Sequence, residues 1–355
     1  DLVHGPIEGL FTIDEETGMT GANALEPGVL KGDILINMDS ETEGELYVGC
    51  AGGIDTCGYF TPKFEDVPAG SKAFQLIVKG LKGGHSGMDI ILGRANANKV
   101  MNALLLKATE KFNARVADIQ GGSLRNAIPR ESFVTITVPE AKAEELLAYV
   151  PEFEAVVKEQ FAAVEPEMSI TVVPAEMPAK VIDKETIAKL IEAVAKYPNG
   201  VIAMSKDFEG TVETSSNLAI VKLVDGQIMT ASLQRSLVDA SKDELAAEMR
   251  KVLESCGARA ESTGSYPGWK PNINSIIYNT MKKVYADKYG KTPKTMVIHA
   301  GLECGILGSK YPNWDMVSFG PTLVFPHSPD EALKIDTVPL FWDFLVETLK
   351  NVPVK

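Results

Sequence analysis

The sequence Asp33-Ile34-Leu35-Ile36-Asn37-Met38-Asp39 (DILINMD, 33–39) points to an α/β fold. It is too short for a helix and almost continuously apolar, the pattern of a strand buried in a parallel sheet. It then runs straight into a carboxylate, Asp39. Upstream, residues 7–13 (IEGLFTI) alternate like a second strand and run out into Asp14-Glu15-Glu16. In open α/β sheets, ligands bind outside the carboxyl ends of strands. Two strands that end in acid therefore mark a site as well as a fold.

Working outward, residues 61–71 (TPKFEDVPAGS) turn to Pro, Gly and Asp and read as a linker. Beyond them come a strand (74–80), apolar residues at helical spacing (95–112), a strand (133–138), a helix (144–163) and a strand (168–173). That β-α-β-α-β order suggests a ferredoxin-like unit. A second run follows: a helix (184–196), strands 217–224 and 227–233 around Asp225-Gly226, and a helix (242–256). The Asp-Gly dipeptide between apolar strands is a hairpin signal, and the two similar halves suggest a duplication. Residues 266–271 (YPGWKP) read as a return linker, followed by a helix (274–289), strands 295–298 and 316–319, and a closing amphipathic helix (338–349). The expected architecture is α/β. A catalytic domain in two segments, 1–70 and 266–355, is interrupted by an α+β lid domain, 71–265, of duplicated ferredoxin-like units. A sheet that starts at residue 7 has no strand before it, so an N-terminal part of the catalytic domain is expected to be missing.

Composition narrows the function. The 355 residues are 45% hydrophobic and 23% charged, an ordinary globular mixture that excludes a disordered or fibrous chain. Apolar runs such as 103–106 fall far short of the roughly 20 residues needed to cross a bilayer. With 35 basic against 48 acidic residues the net charge is −13, which repels phosphate backbones and argues against nucleic-acid partners. Cys50, Cys57, Cys256 and Cys304 make no disulfide framework in so long a chain, and suit a reducing cytoplasm.

Several residues carry chemistry. Adjacent side chains at a strand end point apart, so Glu15 and Glu16 can divide the work, one binding a metal and one moving protons. A solvated acidic turn is the plain alternative, and Asp39 with Glu41, Glu43 and Glu45 has the same one. His327 stands between prolines in FPHSPDE (325–331), which fix an extended loop and present the ring rather than pack it. His85 stands in a glycine-rich turn, KGGHSG (82–87), that lets a ligand approach closely; a core histidine and a plain loop are the respective alternatives. Together, carboxylate and imidazole ligands suit zinc, cobalt or manganese.

The segments DEETGM (14–19), NMDSETEGE (37–45), GCAGGID (49–55), LKGGHSG (81–87), RNAIPRE (125–131), YPGWKP, HAGLECG (299–305) and FPHSPDE, in this order, resemble the bacterial aminoacyl-histidine dipeptidases of the M20 metallopeptidase family. The resemblance implies a cytoplasmic, homodimeric di-zinc enzyme, with Co2+ or Mn2+ as substitutes, that hydrolyses Xaa-His and related dipeptides with a free C-terminus. Glu15 would be the general base acting on a metal-activated water. Glu16 and His327 would hold one zinc and Asp39 the other. His85 would stabilise the oxyanion, often across a dimer interface, and Asn126 and Arg235 would hold the substrate and its carboxylate. The family pattern also places an H-x-D motif and a bridging aspartate upstream of the acidic pair. Neither stands here, since His4 is followed by Gly5 and Pro6, so this polypeptide is expected to be a fragment that alone binds two metals poorly and hydrolyses little. The competing expectations are another M20 activity, such as an aminoacylase or a different peptidase, and a non-catalytic relative that dimerises through the lid.

Overall fold

The computed structural model describes residues 3–15, 19–324 and 330–353. In chain order the main elements are α1 (Thr20–Ala24), β1 (Ile34–Asn37), β2 (Glu45–Cys50), β3 (Gly52–Phe60), β4 (Ser71–Lys79), α2 (Ala97–Phe112), β5 (Arg115–Gly121), β6 (Ser132–Pro139), α3 (Glu140–Phe161) and β7 (Ser169–Pro174). There follow α4 (Lys184–Lys196), β8 (Val212–Val224), β9 (Gln227–Ser236), α5 (Asp239–Ser255), β10 (Arg259–Tyr266), α6 (Ile276–Tyr289), β11 (Lys294–Ile298), α7 (Glu303–Lys310), β12 (Asp315–Ser318) and α8 (Thr337–Asn351). Among the described residues no helix is long and apolar enough to cross a membrane. Two units separate: Asp1–Gly52 with Leu237–Asp239 and Tyr266–Lys355, and Gly53–Ser236 with Ala240–Ser265.

The first unit is built on a four-stranded sheet of order β1-β12-β2-β11. β1 runs parallel to β12 and β11 parallel to β2, while β12 and β2 meet antiparallel. The apolar run at 34–37 is thus a strand in parallel pairing, but it lies at the end of the sheet order and is half-buried along its length rather than enclosed. Residues 7–13, expected as a strand, are irregular, with Ile7, Phe11 and Ile13 exposed. Gly5 and Gly9 weaken the run, and only Leu10 packs, against the cluster around Ile306 and Leu307. The expected linker 266–271 lies along the exit of β2, where Cys50 and Trp269 exchange both backbone hydrogen bonds at 2.9 Å. This explains two of the three glycines of GCAGGID: a Cβ on Gly49 would fall 2.5 Å from Pro271, and one on Gly52 2.6 Å from the Gly268 nitrogen.

The second unit starts from helix signals that are easy to trace. Asn96 caps α2 by accepting from the Asn98 and Lys99 amides, Asp183 caps α4 by accepting from Thr186, and α2 turns Met101, Leu104, Leu105 and Ala108 into the core. Its sheet has the order β7-β4-β6-β5-β8-β9-β3-β10, with a further strand, Gly200–Met204, on β8. The first repeat is β-α-β-β-α-β rather than β-α-β-α-β. The unexpected strand β5 carries a register irregularity between Val116 and Asp118, so Val116 and Ile119 are both buried three residues apart and the period of two disappears. Counted within each repeat, the sheet reads 4-1-3-2 and then 2-3-1-4. The duplication is therefore real, and its two copies meet through β5 and β8.

β3 is the first strand of the second repeat, although it precedes the whole first repeat in sequence. For that reason the chain leaves the first unit at Gly52, not at residue 70, and 61–70 is no free linker: Phe64–Asp66 pairs with Lys180–Ile182. The Asp225-Gly226 turn forms as expected, with positive φ at both residues (50° and 77°).

Where the two repeats meet, Gly122 has φ 69° and an added Cβ would lie 1.8 Å from the Ala219 carbonyl oxygen. Gly122→Ala is expected to destabilise the protein by about 2–4 kcal/mol, seen as a lower urea midpoint at unchanged m. A loss below about 0.5 kcal/mol would contradict this packing of the repeats.

Candidate active site

In the first unit, the turn that carries Glu15 is folded back on itself. Asp14 takes a left-handed conformation (φ 60°) and accepts a hydrogen bond from the Thr20 hydroxyl at 2.9 Å. The Met19 amide donates to the Asp14 carbonyl at 2.7 Å, and the Gly21 amide to that of Ile13 at 3.1 Å. A Cβ at residue 21 would come within 2.6 Å of the Ile13 nitrogen, so the turn closes only over glycine. Glu15 is half-buried there. Glu16 and His327 lie outside the described residues.

Asp39 follows β1 and is exposed. Its backbone is held by a chain of hydroxyls: the Asn37 side-chain oxygen accepts from the Asp39 amide (3.3 Å) and the Ser318 hydroxyl (2.6 Å), and Ser318 pairs with Ser40 (2.6 Å). Gly320 lets the next turn lie against Ser40, whose carbonyl oxygen would be 1.7 Å from a Cβ there.

The Glu15 segment reaches the start of α7. The Thr12 hydroxyl donates to Oε2 of Glu303 at 3.1 Å, and a Cβ on Gly301 would be 3.7 Å from the Met19 methyl carbon. Burial holds the Cys304 thiol well above its ordinary value, and the negative charges of Asp39 and Glu303 push it further the same way. The corner is therefore anionic. Carboxylates in such a field suit a hard or borderline cation, and Asp39 with Glu16 and His327 has the oxygen and nitrogen donors that zinc takes. Among the described residues alone, no group of three or more candidate ligands comes together.

The second unit gathers the other three expected residues. His85 lies on a short strand whose partner runs through Ala127, and the Ser86 amide donates to the Asn126 carbonyl at 2.8 Å. Asn126 itself is exposed. The amides of Gly87 and Met88 both donate to Nδ1 of His85, at 3.2 and 3.0 Å. Nδ1 is thus an acceptor, and the neutral ring carries its proton on Nε2. Burial pushes the His85 pKa down to about 4, helped by the charge of Arg235 and opposed by that of Asp89. Glycines make the turn possible: Gly83 and Gly84 have φ of 63° and 131°, and a Cβ on Gly84 would be 2.4 Å from Asp89. Arg235 is buried on β9, paired across the sheet with Ser215.

Three groups here were not singled out from the sequence. Asp55 is buried on β3 and takes Arg125 at 2.5 Å; burial raises its carboxyl, and Arg125 and Arg235 oppose that. Glu303 is the third. All three stand inside quoted motifs (GCAGGID, RNAIPRE, HAGLECG), which was the available signal.

Comparison with known proteins now bears on this geometry. A peptidase dimerisation domain of the M20 type matches residues 76–165. The whole chain is 43% identical, over 358 aligned residues, to the cytosol non-specific dipeptidase of Escherichia coli (strain K12), of which it spans 73%. The crystal structure of aminoacylhistidine dipeptidase from Vibrio alginolyticus matches all of this chain with a TM-score of 0.95 and 46% identity, and 72% of that chain is covered. Identity of this order along the full length, on the same fold, means that the chain belongs to the M20 peptidase family, among its dipeptidase hydrolases.

Proposed function

We propose that the chain works as a di-zinc dipeptidase of the cytosol that cleaves Xaa-His and related dipeptides and acts as a homodimer. The observation that carries this reading is the turn around Glu15, closed by Thr20 and tied through Thr12 to the buried Glu303, with Asp39 held at the exit of β1 in the same unit. The two relatives, a cytosol non-specific dipeptidase and an aminoacylhistidine dipeptidase, support the substrate class and compartment. The match to a dimerisation domain supports the oligomer.

In this reading Glu16 and His327 would hold one zinc and Asp39 would serve the other. Bound zinc supplies positive charge that acidifies water and polarises the scissile carbonyl. Glu15 accepts the proton of the attacking water and returns it to the leaving amine. His85 donates its Nε2–H to the carbonyl oxygen as negative charge develops on it. Asn126 helps to hold the peptide. Arg235 binds the terminal carboxylate through its planar fork of donors, which favours short peptides with a free C-terminus.

Turnover of Gly-His and β-Ala-His, compared with N-acyl amino acids, tests the reading. Preferred hydrolysis of N-acyl amino acids would replace it with an aminoacylase. Glu15→Gln is expected to keep the metal content and lower kcat by about 10²-fold or more, while His327→Ala lowers the metal content itself. A Glu15→Gln protein with full turnover would remove Glu15 from the chemistry.

His85→Ala is expected to leave the metal in place and to lower kcat by about 10²-fold. An unchanged kcat would dismiss it. The same ring makes a stability prediction. Its folded pKa of about 4 lies below the ordinary 6.5, so the unfolded chain binds the extra proton first as pH falls. The contribution of His85 to stability is therefore complete above pH 6.5 and is lost progressively as pH falls towards 4. His85→Asn should flatten the stability profile across that window, which urea unfolding at stepped pH would show.

A further inference from the structure

Glu303 opens α7, where the helix dipole favours a carboxylate, and it is 93% buried, at 7% relative exposure. One of its oxygens, Oε2, accepts the Thr12 hydroxyl at 3.1 Å. The other, Oε1, is enclosed, and among the described residues it has no hydrogen-bond partner and Glu303 makes no ion pair. A buried carboxylate oxygen left without a partner is costly, and a native fold that keeps one calls for an explanation. Position supplies it. Thr12 lies three residues before Glu15, and Asp39 is close enough for both carboxylates to act on the Cys304 thiol. The unpartnered oxygen thus belongs to the residue that Thr12 fixes, three positions before the Glu15 assigned to move the proton.

A dipeptide brings two charges to such a site. Its α-ammonium has no partner among the first-unit residues assigned so far. We propose that Glu303 is the specificity-determining residue for that ammonium, with Oε1 accepting its N–H and Thr12 holding the carboxylate in place. This rests on the dipeptidase reading, and it adds a requirement for a free N-terminus.

N-acetylhistidine is Gly-His without the amine, so the pair isolates the proposed contact. In the native metal-loaded protein, Gly-His should be cleaved with a kcat/KM at least about tenfold above that of N-acetylhistidine, the size expected of one charge-assisted hydrogen bond. Glu303→Gln should remove most of that preference by raising KM for Gly-His, while the inhibition constant of N-acetylhistidine and the metal content stay unchanged. Equal losses for both ligands would make Glu303 a structural residue, and lost metal would make it a metal ligand; either result overturns the proposal. Should the variant fail to fold, the native protein still decides, because no preference for Gly-His there overturns the proposal directly. The two failures separate cleanly. If the native protein binds and cleaves neither ligand, the dipeptidase reading falls; if it cleaves Gly-His with a preference that survives Glu303→Gln, only the ammonium assignment falls.

Discussion

Negative charge gathered at one corner of the first unit is the constraint on which the rest of the site depends. Like charges repel, and more strongly where water is partly excluded, so carboxylates are brought into one region only where the backbone holds each member. Here the holding is done by neutral donors: Thr20 on Asp14, Thr12 on Glu303, and the Asn37–Ser318–Ser40 chain behind Asp39. None of these hydroxyls cancels the charge. A cation would, and on that ground we propose these fixed carboxylates as a metal and ammonium site rather than a solubilising patch.

The second unit solves the opposite problem. Arg235 is a buried positive charge, and its neighbours are arranged so that His85 stays neutral with its proton on Nε2. A neutral donor keeps its hydrogen bond to a developing oxyanion over a wide pH range, whereas an imidazolium in that field would be costly. Asp55 and Arg125 bind the loop before Asn126 to β3, so the strand that begins the second repeat also steadies a loop of the first.

Much of this was legible in the sequence, for identifiable reasons. The helices announced themselves through apolar spacing, and the Asp225-Gly226 turn through its residue types. What escaped was structure without periodic signal. β5 hid behind its irregular register, β10 behind polar residues, and α7 behind Gly305 and Gly308. The boundary at residue 70 was misplaced because local composition cannot reveal that β3 completes a repeat lying far along the chain. The site followed the same rule. Glu15, Asp39 and His85 stand out by residue type and context. Glu303 looks like any helix-opening glutamate until its burial and its one unmatched oxygen are seen.

The central claim is that the anionic corner of the first unit runs on bound cations to cleave dipeptides. Its most direct test is Gly-His hydrolysis by the native protein before and after dialysis against a chelator, with metal counted at each step. The account predicts that activity falls with the metal and returns when zinc is restored. Full turnover by metal-free protein would contradict it.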